Sequence, residues 1–382
     1  MIKIPTYKEH RKGKEIFDRY LYLMALILPF SPEDVLGEDV IEVDGEKIDK
    51  NNFLEKSEKK PRKRSAKYKS VLKNYRITNY ASNKEERFAQ DQLLAAKIVE
   101  NASNDLYKYL YEKRNVVIPV INKKNLRILL TIKMDELIPV LENLPKIQIK
   151  ACQNELLQYV FCYDKFSQHK KTVQLLMDMD VPVCPYCNRQ YTFTVSGETG
   201  ISRPQFDHYL PKSEYPYFAV SLLNLVPSCG LCNQSKSAKD EKVLYPYSDE
   251  MGEDVVFRTK MITGFNYLLG DKNAIDDFEV LLEPVNKELK EEFLEKLENS
   301  KKHFHLLELY NGHKDYILYL FRKNYVFSAD YLELLCQQFP YMFSNKEDIK
   351  HLMYLMEIDK EHWGRNSLSK LTHDIDLEMR DV

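Results

Sequence analysis

Residues 184–239 read CPYCNRQYTFTVSGETGISRPQFDHYLPKSEYPYFAVSLLNLVPSCGLCNQSKSAK, and the cysteine pairs near its two ends decide what the stretch can build. Cys184-Pro-Tyr-Cys187 and Cys229-Gly-Leu-Cys232 are C-x2-C knuckles separated by 41 residues (188–228). Four thiolates in two such pairs satisfy tetrahedral zinc, and a shell filled by protein ligands marks a structural metal rather than a catalytic one. The separation exceeds that of an ordinary zinc ribbon, so a folded unit must lie between the knuckles. Two unrelated cysteine pairs are the plainer alternative. Cys152, Cys162 and Cys336 have no close partner in sequence and read as ordinary buried cysteines.

Between and just after the knuckles lie Asp207-His208, Asn224 and Asn233. A hard divalent cation such as Mg(II) prefers oxygen ligands, and Asp207 and the Asn233 side-chain oxygen supply two. An imidazole beside such a cation can take a proton from attacking water near neutral pH, which gives His208 the general-base role. The Asn224 amide hydrogen-bonds in both directions, suited to orienting His208 or pinning the connecting loop. The pattern predicts a helix from about Cys232 through Asn233, Lys236 and Lys239. Neighbouring helix positions point roughly 100° apart, so Cys232 can face zinc while Asn233 faces the second cation. Lys236, three residues on, shares the Asn233 side, where an ammonium would meet phosphate. Adjacent strand residues point to opposite faces, so Asp207 and His208 converge only near a strand end, and Pro211 makes such a break plausible.

Taken in order, the knuckles, DH-x-x-P, Asn and C-x2-C-N-x2-K resemble the HNH, or ββα-metal, endonuclease family in its zinc-stabilised form. The resemblance covers about sixty of the 382 residues. It implies metal-dependent hydrolysis of DNA phosphodiester bonds, with structural zinc and a catalytic Mg or Mn. Asp207 is then a metal ligand, His208 the base, Asn224 the middle asparagine and Asn233 the final ligand, with Asn rather than His at that position. Lys236, Lys239, Arg189 and Lys212 are the candidate nucleic-acid contacts, although salt pairing at the surface explains Arg189 and Lys212 equally well. The DHYLPKS…NL…SC…CN form also resembles HNH nucleases of bacterial anti-phage systems, such as Septu and retron-linked effectors, which pair with an ATPase. That implies a partner ATPase, a homo-oligomer, or both.

Outward from this stretch the patterning turns helical. Residues 1–178 carry helical apolar spacing over Gln90–Arg114, Leu126–Leu144 and Glu155–Met177. Gly37–Arg64 is polar and reads as loop. Residues 179–248 form the cysteine-containing nuclease core, with strand-like runs at YTFTV and QFDHYL. Residues 249–382 open with strand candidates Val255–Met261 and Phe278–Leu282. Helical patterns follow over Leu289–Leu307, His313–Tyr325, Ala329–Gln338, Lys346–Met356 and Ser367–Met379. The expected fold is therefore mainly α with a small α+β insert. Helical spacing assigns Tyr310, Tyr316, Tyr319 and Tyr325 to the core. His303, His305, His313 and His351 read as surface or packing residues rather than ligands.

Composition narrows the class. Eleven glycines in 382 residues argue against a glycine-rich sandwich or barrel. The longest apolar run, Tyr20–Phe30, is too short to span a bilayer and is broken by Pro29. The early residues are too charged for a signal peptide. Seven cysteines without an export signal point to a soluble protein of the reducing cytoplasm. The net charge of −2 conceals Lys56–Arg76, where ten Lys or Arg face one acid. That run can contact phosphates, with Tyr68 and Tyr75 available to stack, or it can be a solvated loop. The competing function is a zinc-ribbon module that binds nucleic acid or protein without cleavage. Asp207, His208 and Asn233 argue against it, since a scaffold needs no acid–imidazole pair.

Overall fold

The computed structural model describes residues 1–28, 30–53, 126–136, 158, 160–236 and 242–380. The N-terminal part supplies α1 (Gly13–Ile27), α2 (Pro32–Leu36), β1 (Ile41–Val43), β2 (Glu46–Ile48), α3 (Leu126–Thr131), α4 (Tyr163–Gln168) and α5 (Lys170–Met179). The middle holds β3 (Val195–Gly197), β4 (Gly200–Ser202), β5 (Gln205–His208), β6 (Leu225–Ser228) and α6 (Gly230–Lys236). Then follow β7 (Val255–Met261), β8 (Phe278–Pro284), α7 (Glu291–His303), α8 (Leu306–Asn311) and α9 (Lys314–Val326). α10 (Ala329–Gln338), α11 (Lys346–Tyr354) and α12 (Ser369–Arg380) complete the chain. Strands pair only as β1–β2, β3–β4, β5–β6 and β7–β8 among the described residues. The architecture is mainly α with small two-stranded sheets. The basic run Lys56–Arg76, the helix expected at Gln90–Arg114, Cys152 and Lys239 lie outside the described residues, as do parts of Leu126–Leu144 and Glu155–Met177.

The chain forms two compact units, one of residues 5–180 with 206–226, the other of residues 1–4, 181–205 and 227–382. These cut the sequence differently from the three stretches its patterning marks. The knuckle residues 181–205 belong with the C-terminal region, and 206–226 belong with the N-terminal one.

In the unit built on residues 5–180, α1 is a core helix. Tyr20, Leu21, Leu23, Met24 and Ala25 are all buried, so packing within protein accounts for the apolar run. Arg19 ties the unit together, with Nε 2.6 Å from Asp178 on α5 and Nη1 2.7 Å from Asp44. Asp44 sits in a hairpin where composition suggested only loop. Asp44 and Gly45 both have positive φ, 55° and 80°, and join the paired residues Val43 and Glu46. That is the backbone a two-residue type I′ turn requires, and Asp-Gly supplies it. Ile41, Val43 and Ile48 bury one face, which outweighs the polar residues between them.

In the other unit β7 and β8 pair antiparallel from Val255↔Pro284 to Met261↔Phe278. Their inward rings join the helices: Phe257 lies 4.2 Å from Tyr310 on α8, and Phe278 packs on Phe321 of α9. α12 is held to β7 by polar groups, since Asp374 accepts from the Phe257 amide and Glu378 from the Thr259 amide. The single helix expected at Leu289–Leu307 is split, because His305 adopts a left-handed conformation (φ 49°) between α7 and α8. The expected strand at Tyr191–Val195 is reduced to one bridge, Val183↔Tyr191, with β3 beginning only at Val195. Of the tyrosines assigned to the core, Tyr310 is fully buried, whereas Tyr319 and Tyr325 are exposed on α9.

Candidate metal centre and active site

The four knuckle sulfurs come together. Cys184, Cys187, Cys229 and Cys232 are buried, with their Sγ atoms all within 4.8 Å of one another. A tetrahedron of Zn–S bonds of about 2.3 Å places sulfurs roughly 3.8 Å apart, so these residues fit a zinc ion. Thiols this close share protons. Hydrogen bonds from its neighbours, Cys184 first, hold Cys187 well below the ordinary thiol range, whereas burial pushes Cys184 up. Among the described residues this is the one gathering of three or more His, Cys, Asp or Glu ligand atoms.

The knuckle geometry depends on residues that spacing alone did not single out. Asn188 follows Cys187 at φ 49°, and its amide donates to the Cys184 carbonyl. A turn that closes a C-x2-C loop needs a residue tolerant of positive φ, and Asn is one. The buried Asn188 side chain donates to the Trp363 carbonyl and accepts from the Lys370 amide. Tyr310 of α8 donates its hydroxyl to the Cys187 carbonyl at 2.6 Å, and Tyr186 stacks on Phe304 at 4.4 Å. Asn188 carried a local signal, its place just after the knuckle. Tyr310 carried none, since its contact spans more than a hundred residues of sequence.

On α6, Cys232 is fully buried toward the cluster while Asn233, one position on, is half-buried. Asn233 donates Nδ2 to Gln205 Oε1 at 2.6 Å, so its Oδ1 remains the oxygen it can offer a hard cation. Lys236, expected to face phosphate, is instead buried at 3% exposure. Arg189 is half-buried with Nε inside the protein, and its carbonyl accepts from Ser367.

Asp207, His208 and Asn224 belong to the unit built on residues 5–180. β5 ends at His208, the strand end that convergence of an adjacent Asp and His requires. Asp207 is buried and His208 half-buried. His208 Nε2 lies 2.9 Å from the Ala219 carbonyl. A carbonyl only accepts, so Nε2 carries a proton, and Nδ1 is the nitrogen that titrates. Ala219 is itself fixed from the helical flank: the Tyr20 hydroxyl donates to the Val220 carbonyl at 2.7 Å, and Ser221 Oγ donates to Leu129 at 2.8 Å. Asn224, fully buried, accepts from the Leu210 amide at 2.7 Å and donates to the Leu210 and Phe218 carbonyls at 3.1 and 2.9 Å. It pins the connecting loop, while Ala219 orients His208. Lys212 is exposed, its Nζ 4.7 Å from the centre of the Tyr163 ring.

The chain is 35% identical over 98 residues to Protein ea31 of Escherichia phage lambda, covering 24% of this chain and 28% of that protein. It is 31% identical over 101 residues to Septu protein PtuB of Bacillus thuringiensis, covering 26% of this chain and 34% of that one. The chain thus spans about a third or less of the length of these relatives. No family model matches the chain, and no solved structure does.

Proposed function

We propose that the protein is a metal-dependent HNH endonuclease that hydrolyses DNA phosphodiester bonds, working in the cytoplasm as the effector of a bacterial anti-phage defence system. The observation that carries this reading is the His208 hydrogen bond to Ala219, which holds the imidazole at the end of β5 through Nε2 and makes Nδ1 the nitrogen that would act as base. The order β5, β6, α6 supports it, as does a cysteine cluster that fits zinc at the foot of α6.

In this mechanism His208 takes a proton at Nδ1 from the water that attacks phosphorus. By the resemblance, Asp207 and the Asn233 oxygen would be the ligands that hold a divalent cation, Mg or Mn. That cation, when bound, supplies positive charge for the scissile phosphate and the leaving oxygen. Asn224 keeps the loop between β5 and β6 in one conformation, so that His208 and Ala219 stay in register. Lys212, exposed and over the Tyr163 ring that meets His208, is the phosphate contact this reading favours. Buried Lys236 and inward Arg189 serve structure first.

That loss of basic contacts favours one alternative, a zinc-stabilised binding module without cleavage. Incubating the protein with plasmid DNA and Mg(II) or Mn(II), with and without brief chelation, separates the two. Cuts that vanish on chelation and return with Mn(II) support the nuclease. DNA binding without cuts under every cation and partner supports the module.

The likeness to a Septu protein supports a system of more than one protein, with a partner ATPase, a second copy, or both. Among the described residues no helix is long and apolar enough to cross a membrane. Exposed Tyr325, Leu334, Tyr341, Met342 and Leu355 give the α9–α11 region an apolar surface suited to docking.

A further inference from the structure

Tyr163 opens α4, outside the stretch whose motif suggests a nuclease. Its ring nonetheless lies against the His208 imidazole, with centroids 4.4 Å apart and planes at 69°. Its hydroxyl donates to the Phe206 carbonyl at 3.4 Å, two residues before His208 on β5. Lys212 holds its ammonium over the same ring at 4.7 Å. One side chain from the helical flank therefore meets the imidazole, the strand that carries it, and an exposed cation.

We propose that Tyr163 is a positioning residue for the phosphodiester hydrolysis inferred above, holding the His208 ring in one rotamer and Lys212 beside it. The inference rests on that reading. A hydrogen bond from Nε2 to Ala219 fixes one atom of the imidazole and leaves the ring able to swing about it. An aromatic ring packed at 69° removes that swing, and keeps Nδ1 aimed in one direction. Lys212 sits on an exposed loop, where a lysine samples many rotamers. A ring face within about 6 Å favours the one that keeps its charge near His208.

Packing alone does not account for Tyr163. Phe166, from the same helix, is the residue fully buried against Phe206, with ring centroids 5.6 Å apart. Tyr163 stays half-buried at the rim, where its ring meets His208 and Lys212 as well as Phe166 of its own helix.

Two substitutions in the full chain test this. Tyr163→Phe keeps the ring and Tyr163→Leu removes it. Histidine ring signals in a selectively labelled protein, with His208 assigned by its loss in His208→Ala, report the ring contact without reference to activity. They are expected to move in Tyr163→Leu and to stay near wild type in Tyr163→Phe. In Mn(II)-supported plasmid cleavage, Tyr163→Leu is expected to lower kcat about 100-fold with KM little changed. Tyr163→Phe recovers most of that loss. Lys212→Met raises KM, and does so less in the Tyr163→Leu background, the coupling that residues in contact display. A folded Tyr163→Leu protein cutting at the wild-type rate overturns the proposal, as do His208 signals indifferent to it, or a Phe variant as impaired as the Leu variant. A wild-type protein that cuts no nucleic acid with any cation sinks the nuclease reading, and the positioning role with it. Unmoved His208 signals sink the positioning role alone.

Discussion

Asn224 uses its whole side chain on one loop, accepting from the Leu210 amide and donating to two carbonyls while wholly excluded from water. Truncation to Ala leaves a buried N–H and two carbonyls without that partner, and each such loss costs about 1–3 kcal/mol. Asn224→Ala is therefore expected to lower unfolding free energy by roughly 2–4 kcal/mol in urea titration, partial relaxation absorbing the remainder. An unchanged midpoint would show that the loop does not depend on Asn224. Asp207-His208 and Pro211 marked His208 as a candidate base at a strand end, and β5 does end at His208. Its hydrogen-bond partner did not show in the sequence. Ala219 contributes only a backbone carbonyl, and a backbone acceptor leaves no mark on residue identity. Three-residue helical spacing put Lys236 on the Asn233 side, and its burial at 3% exposure carried no signal in that spacing.

Elements with strong local signals were legible. α10 spans Ala329–Gln338 as its pattern predicts, with Ser328 accepting from the Tyr331 amide as its cap, and β7 matches Val255–Met261. The hairpin β1–β2 was missed although Asp44-Gly45 between apolar Ile41, Val43 and Ile48 announced it, because polar composition over a longer window hid a two-residue signal. The break at His305 had no signal, since histidine is not a residue whose identity marks a left-handed turn the way glycine does. The knuckles were the clearest element of all, and their closure has a thermodynamic consequence. Zinc bound only by the folded protein adds its binding free energy to folding. Cys232→Ser is expected to lose the metal and melt at lower temperature than wild type. Elemental analysis should find one zinc per folded wild-type chain, and folded protein without zinc after mild chelation would remove this part of the account.

At the scale of the whole molecule, the residues outside 184–239 do more than surround a small motif. Tyr20, Leu129 and Tyr163 hold the backbone and ring around His208, and Tyr310 and Asn188 hold the cysteine loop. Apolar residues also remain on the surface of α9 to α11, Tyr341 among them with its side chain fully exposed. A stable partner would cover such a surface, with a standard interface of roughly 1,600 Å² in total. Light scattering after size exclusion is expected to find a complex or an oligomer, and Leu334→Lys with Met342→Lys is expected to dissolve it. A monomer that cuts DNA at full rate alone would contradict the docking role. General-base catalysis by His208 is tested most directly by the single-turnover cleavage rate of His208→Ala beside wild type, under the same Mn(II), DNA and partner conditions. General-base catalysis contributes about 10²–10⁴-fold, so the variant should fold, keep its zinc, bind DNA, and cut slower by at least that lower bound. Cleavage by folded His208→Ala at the wild-type rate would contradict the account.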